Sequence, residues 1–274
     1  MKVGYVQNNP VFGVKEKNFD GVRSLLDGGK ADLLVLPELF AAGYTFTSRE
    51  EAKEMAETNH GLTAGFLKEL SKSTGATMVG GFIEMDKDKA YNSLLIVSSG
   101  KVIDTYRKTH LFNKEKLWFS PGDKPLKVYN IDGVKIGTMI CFDWMFPEVC
   151  RTLALQGMQV LAHPSNLVMP YCQSAMVTRC LENRIFAITA NRIGNEQRDE
   201  DNFTFTGASQ ITGIDGKILS FAPIDKPHVS VIEIDEKQAD NKMINKHNDV
   251  IKDRRPDFYS ISYNNDPLPS KRHR

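Results

Sequence analysis

Residues Lys135–Glu148 read KIGTMICFDWMFPE, and the fold follows from this stretch. KIGTMI has the character of a strand and stops at Cys141. The next cluster, Phe142–Asp143–Trp144–Met145–Phe146–Pro147, suits neither strand nor helix. Pro147 and Glu148 then open a run with helical spacing at Val149, Leu153 and Leu155. Proline fits the first turn of a helix because its missing N–H would have no partner there. The pattern predicts a cysteine on a sharp strand-to-helix turn, near backbone N–H groups and the positive end of a helix dipole. Such a place favours a thiolate and offers donors to an oxyanion. A buried cysteine is equally an ordinary small core residue, so the rest of the chain has to decide.

With 274 residues, 41% apolar and 25% charged, the composition is that of a globular protein with a large core. The net charge of +1, with acids and bases mixed along the chain, argues against nucleic acid or an anionic membrane as the main partner. No apolar run reaches the ~18 residues of a membrane span. The opening MKVGYVQNNP goes directly into a strand pattern and lacks the shape of a signal peptide. Cysteines 141, 150, 172 and 180 form neither a disulfide framework nor a C-x-x-C pair, so a reducing cytoplasm is expected and a zinc site is not.

In chain order, Val3–Gln7 reads as a strand. Lys15–Leu26 reads as a helix with Phe19, Val22, Leu25 and Leu26 on one face, stopped by Gly28 and Gly29. Leu33–Leu36 is an apolar run between Asp32 and Pro37, the signature of a strand buried on both faces, and it delivers Glu38 at its end. Ser48 followed by Glu51 predicts a capped helix to about Thr58. Leu62–Lys72 predicts another, ended by Gly75. Strands are expected at 77–84, 91–97 and 102–106, then a polar and aromatic loop, THLFNKEKLWFSPGD. A hairpin of 126–131 and 134–140 turns at Asp132–Gly133. After the Pro147 helix come a strand at 160–163, a helix at 175–183, a strand at 186–191 and a strand meander over 207–234. The order calls for two sheets packed face to face with helices outside.

Glu38, Lys108 and Cys141 each stand at the C-terminal end of a separate strand run, where open α/β sheets place their sites. A thiol needs a base, which a carboxylate can be. Attack on a carbonyl or nitrile carbon builds negative charge, which an ammonium beside a backbone N–H would stabilise. Taken singly, Glu38 and Lys108 also read as surface charges.

LPELF (36–40), YRKTHLF (106–112) and ICFDWMFPE (140–148), in this order and spacing, resemble the nitrilase, or carbon–nitrogen hydrolase, superfamily. The resemblance extends from Val3 to about Tyr259, and KTHLF, PGD, ICFDW and HPSNLVMP look most like small archaeal aliphatic nitrilases. It implies an α/β fold, a four-layer α–β–β–α sandwich in a single domain. The domain would span 1–259, with 235–259 as a C-terminal arm that docks through aromatics such as Phe258 and Tyr259, and 260–274 as a disordered tail. It also implies a Glu–Lys–Cys triad of Glu38 as general base and acid, Lys108 as stabiliser of the tetrahedral intermediate and Cys141 as nucleophile. Glu115, in EKLWFSPGD, matches the family's second glutamate. The implied reaction is hydrolysis of a small aliphatic amide or nitrile, releasing ammonia through a thioester, with an N-carbamoyl amine as the alternative substrate. No cofactor is implied, and a homodimer or larger homo-oligomer is.

Phe142 is expected to offer its backbone N–H, while Trp144, Tyr44 and Asn166 are expected on the substrate side. Trp118, Phe146, Met169 and Tyr171 would add apolar wall, and the absence of an obvious carboxylate clamp favours a neutral substrate. Two rival readings stand beside this one. His163 ends a strand and could pair with Cys141 in a Cys–His hydrolase, or the fold could serve as a non-catalytic binding protein. His60 and His110 have no i,i+4 partner and suggest no metal.

Overall fold

The computed structural model describes residues 1–26 and 30–259. Along the chain come β1 (Lys2–Gln7), α1 (Lys15–Leu25), β2 (Leu33–Val35), α2 (Arg49–Glu54), α3 (Leu62–Thr74), β3 (Thr77–Asp86), β4 (Lys89–Ser98) and β5 (Lys101–Arg107). The middle holds α4 (Glu115–Trp118), β6 (Val128–Ile131), β7 (Val134–Thr138), a 3-10 turn at Cys141–Met145, α5 (Pro147–Leu155), β8 (Val160–Ser165), α6 (Cys172–Asn183) and β9 (Phe186–Asn191). The last strands are β10 (Asn195–Arg198), β11 (Asp201–Thr204), β12 (Gln210–Thr212), β13 (Ile218–Phe221) and β14 (His228–Glu233).

Two six-stranded sheets result, ordered β14-β1-β2-β3-β4-β5 and β13-β12-β9-β8-β7-β6. The centre of each is parallel, β1-β2-β3 in one and β7-β8-β9 in the other, with antiparallel strands outside. Strand alternation decides the layers. Tyr5, Leu33, Val35, Val79 and Ile96 face one apolar core together with Ile136, Val160, Ala162 and Ile188 of the other sheet. Val6, Leu34, Met78 and Leu95 face the opposite way, onto Phe19 and Val22 of α1 and Phe66, Leu67 and Leu70 of α3. Helices α5 and α6 bury Leu153, Cys150, Met176 and Cys180 against the second sheet. The architecture is the expected four-layer sandwich, with residues Met1–Asn241 forming one compact unit.

Several boundaries differ from expectation. Helix α2 ends at Glu54, because Glu57 returns to extended pairing: its N–H donates to Ile83 O at 2.9 Å and its carbonyl accepts from Met85 at 2.7 Å. The 109–123 loop contains the single turn α4, which buries Glu115. The hairpin strands are shorter than expected, at 128–131 and 134–138. A small hairpin, β10–β11, had no strand signal in its polar sequence. The meander divides, since β12 and β13 join the second sheet while β14 pairs antiparallel with β1 in the first. Gly28, Gly29 and the 260–274 tail lie outside the described residues.

Within the second unit, from Lys242, Met243 and Asp249 form an antiparallel bridge, and the Asp249 carboxylate accepts from the N–H groups of Ile251 and Lys252. Phe258 is 73% exposed and lies beneath the Arg255 guanidinium. Among the described residues no helix is long and apolar enough to cross a membrane.

Candidate active site

Lys108 meets Glu38, and both act electrostatically on Cys141. Glu38 follows β2, Lys108 follows β5 and Cys141 follows β7, and all three are buried. Lys108 Nζ donates to Glu38 Oε1 at 2.7 Å and to Glu115 Oε1 at 2.8 Å. Glu115 is held from its other oxygen by the Phe112 N–H at 3.0 Å, and the Tyr44 hydroxyl donates to its carboxylate. Glu115 therefore pairs with Lys108 and not with its neighbours Lys114 or Lys116; Lys114 goes instead to Asp201.

Backbone shape at these positions is unusual. Cys141 has φ +40° and Leu39, directly after Glu38, has φ +47°. Non-glycine residues rarely adopt this region, which costs about 1–3 kcal/mol where packing enforces it. The packing that enforces the Cys141 turn is Asp143. Its buried carboxylate accepts from the Ile140 N–H at 3.0 Å, the Tyr106 hydroxyl at 2.7 Å and the His110 N–H at 3.0 Å. One carboxylate thus ties the turn to β5 and to the loop after Lys108. At Glu38 the device is a close approach. A Cβ on Gly81 would lie 2.4 Å from Leu39 N and 2.6 Å from Glu38 Cα, so only glycine lets β3 pass there.

Charge in the site is dense for a region out of water. Burial by itself pulls the Lys108 ammonium down, but Glu115 and Glu38 outweigh it and hold the pKa above the ordinary lysine value. Burial pushes Glu115 up, Lys108 opposes it and Glu38 reinforces it. Burial and the nearby Glu38 carboxylate hold the Cys141 thiol well above the ordinary cysteine value, with Lys108 pulling the other way. A strand-to-helix turn favours a thiolate, but burial and the two carboxylates act against it here, so the thiol needs the base that the sequence reading assigned to Glu38.

Phe142, Trp144 and Asn166 line a cavity of about 10 Å³ beside Cys141, completed by Phe112, Leu167, Val168 and Met169. Both side-chain polar atoms of Asn166 are buried there without a partner among the described residues. Tyr44 lies on the Glu115 side with Trp118, at a second small cavity. Phe146 stacks on His110 with ring centroids 3.7 Å apart, outside the Cys141 cavity, and Tyr171 is 62% exposed and forms no wall.

His163 does not engage the thiol. Its Nε2 lies 3.0 Å from the Cys141 carbonyl oxygen, and because a carbonyl only accepts, Nε2 carries the proton. Thr189 Oγ1 then donates to Nδ1 at 3.1 Å. Burial holds the imidazole at about 4, well below its ordinary 6.5, so it is neutral at neutral pH. It supports the main chain of the turn.

Asn92, Asp143 and the buried Arg192–Glu196 pair were not singled out from the sequence. Glu196 Oε2 accepts from the N–H groups of Tyr44 at 3.0 Å and Thr45 at 2.9 Å, and Arg192 packs over Phe205 while holding the other oxygen. Asn92 in YNSLLIV carried no signal that sets it apart, since Ser93 beside it is polar too.

The family profile described as carbon-nitrogen hydrolase matches residues 2–241. A nitrilase from Pyrococcus abyssi is 44% identical over 263 residues, covering 94% of this chain and 99% of that protein. An (R)-stereoselective amidase from a Pseudomonas species is 33% identical over 231 residues, covering 83% and 81%. The crystal structure of a carbon–nitrogen hydrolase from Helicobacter pylori G27 superposes with a TM-score of 0.84 at 24% identity, covering 94% of this chain and 97% of that one. With its sandwich fold, its buried cysteine turn and these matches, the chain belongs to the nitrilase superfamily of carbon–nitrogen hydrolases.

Proposed function

We propose that this chain hydrolyses a small, neutral aliphatic amide or nitrile to a carboxylic acid and ammonia through a thioester at Cys141. The observation that carries the reading is the buried Lys108 ammonium held between Glu38 and Glu115, whose charges act on the buried Cys141 thiol. A protonated thiol is a poor nucleophile, and Glu38 is the buried base at hand.

In the proposed cycle the Cys141 proton passes to Glu38 as the sulfur attacks the substrate carbon. Lys108 and the Phe142 backbone N–H hold the negative charge that develops. Glu38 returns the proton to the leaving nitrogen, and ammonia departs from an amide, leaving a thioester. Water, deprotonated by Glu38, attacks the thioester; the acid leaves and the thiol is restored. A nitrile first adds sulfur to give a thioimidate, and water then converts it to the same thioester with loss of ammonia. Glu115 keeps Lys108 charged and aimed, and Tyr44 holds Glu115 in turn.

The substrate class follows from the walls. Phe112, Phe142, Trp144, Leu167, Val168 and Met169 offer apolar surface, and Asn166 offers one amide. Among the described residues lining the Cys141 cavity none is a lysine or arginine, and Lys108 is already shared by two carboxylates. A carboxylate-bearing substrate would find no cation of its own. The reading retains the expectation of a cytoplasmic homodimer or larger homo-oligomer, which rests on the resemblance and on cysteine usage.

The test is an ammonia-release panel over small nitriles, primary amides and N-carbamoyl amines, with Cys141→Ala as control. Turnover of a small neutral amide or nitrile that disappears in Cys141→Ala is expected. Full turnover in Cys141→Ala, or activity confined to N-carbamoyl amines, would overturn the reading.

A further inference from the structure

We infer that Asn92 is a positioning residue that fixes which oxygen of Glu38 exchanges the proton; the inference rests on the reading of Glu38 as the proton carrier. Asn92 lies on β4, paired with Ile83 of β3, and is fully buried. Its Nδ2 donates to Glu38 Oε1 at 2.7 Å, the same oxygen that accepts from Lys108 Nζ at 2.7 Å. Its main-chain carbonyl accepts from the Lys108 N–H at 2.8 Å. One residue therefore braces both members of the Glu38–Lys108 pair, the carboxylate through its side chain and the lysine through its backbone.

The consequence is an asymmetric carboxylate. Oε1 receives two donors, which fill its two lone-pair directions. Oε2 is buried and has no hydrogen-bond partner among the described residues. The free lone pairs are therefore on Oε2, and the proton leaving the Cys141 sulfur is taken up there and returned from there to the substrate nitrogen. The final torsion of a glutamate is broad and soft. With Lys108 as the only anchor, the carboxylate turns and presents either oxygen to the ammonium. The second donor removes that freedom. The amide orientation is set by the same contact, since only the NH₂ end can face a carboxylate. The Asn92 Oδ1 is left buried without a partner among the described residues, so the amide gives up one hydrogen bond to keep the brace.

Asparagine is specified by both size and donor character. Aspartate has the same shape but would set a second carboxylate against Glu38. This separates a donor role from simple space filling. Steady-state kinetics on the best amide or nitrile of the panel, with thermal melts, compare wild type, Asn92→Ala and Asn92→Asp. A hydrogen bond to a charged group corresponds to about 10- to 100-fold in rate. Asn92→Ala is expected to lower kcat by about that factor with KM within ~3-fold, and Asn92→Asp to lower kcat at least as far. A packing role alone gives the opposite order, with the isosteric Asn92→Asp the milder variant, and that result would overturn the inference. So would a rise in KM with kcat unchanged. Should Asn92→Ala fail to fold, the isosteric variant decides alone: kcat within ~3-fold of wild type refutes the brace, and a loss of about 10-fold or more supports it. A wild-type enzyme inactive across the panel would refute the proposed function itself, whereas an active wild type with fully active variants refutes only the role of Asn92.

Discussion

His163 offers a stability measurement that isolates one buried group. Its imidazole is held neutral beneath the Cys141 turn, at about 4 instead of 6.5. Between those two values the unfolded chain binds a proton at this residue and the folded chain does not. Stability from this group is therefore complete above pH 6.5 and is lost as pH falls toward 4. At about 1.4 kcal/mol per tenfold change in proton activity, the loss is roughly 3 kcal/mol. His163→Gln keeps a neutral donor near the Cys141 carbonyl and removes the titration. Urea unfolding of wild type and variant at pH 7 and pH 4 gives two differences. The wild type should lose roughly 3 kcal/mol more than the variant over this range, whatever constant offset the substitution introduces. Equal losses, within ~0.5 kcal/mol, would show that His163 is not the neutral buried support described above. Turnover in His163→Gln should fall without being abolished, since the ring contacts the turn and not the sulfur.

Two further substitutions probe the charged site. Lys108→Met leaves Glu38 and Glu115 buried with no counter-charge, so it should abolish measurable turnover and cost about 3–5 kcal/mol at neutral pH. The melting deficit of the variant relative to wild type should be smaller at pH 5 than at pH 7, as a carboxylate takes up a proton while the His163 loss is common to both proteins; an unchanged deficit would contradict the pairing. Gly81→Ala forces a methyl group into the backbone at Glu38 and Leu39. It should cost about 1–3 kcal/mol and lower kcat far more than KM, checked by melting and steady-state kinetics.

The residues that could be found from sequence are those that end a strand. Glu38, Lys108 and Cys141 each stand where a strand pattern gives way to a loop or turn, and such a change is visible locally. The same holds for the Asp132–Gly133 hairpin turn, where both residues take the positive φ that the turn needs. Residues acting from inside strands and turns were hidden. Asn92 looks like a polar position in ordinary alternation, and only the approach of Glu38 from 54 residues away gives it a task. Asp143 reads as one polar residue in an aromatic cluster, although it accepts hydrogen bonds from three separate backbone and side-chain donors. Long-range pairing leaves no local trace either. Strand β14 leaves the meander for the first sheet because β1 offers it an open edge, across more than two hundred residues of sequence. The helix-end argument at Cys141 is local too and cannot weigh Glu38 and Glu115, which raise the thiol from positions distant in sequence.

The central claim is a covalent thioester at Cys141, and intact and peptide mass spectrometry of the acid-quenched enzyme during turnover tests it most directly. With a small amide or nitrile substrate, the peptide containing Cys141 should gain the mass of the acyl group, and the adduct should be absent from Cys141→Ala. An acyl group on another residue, or undiminished ammonia release from Cys141→Ala with no adduct anywhere, would contradict the account.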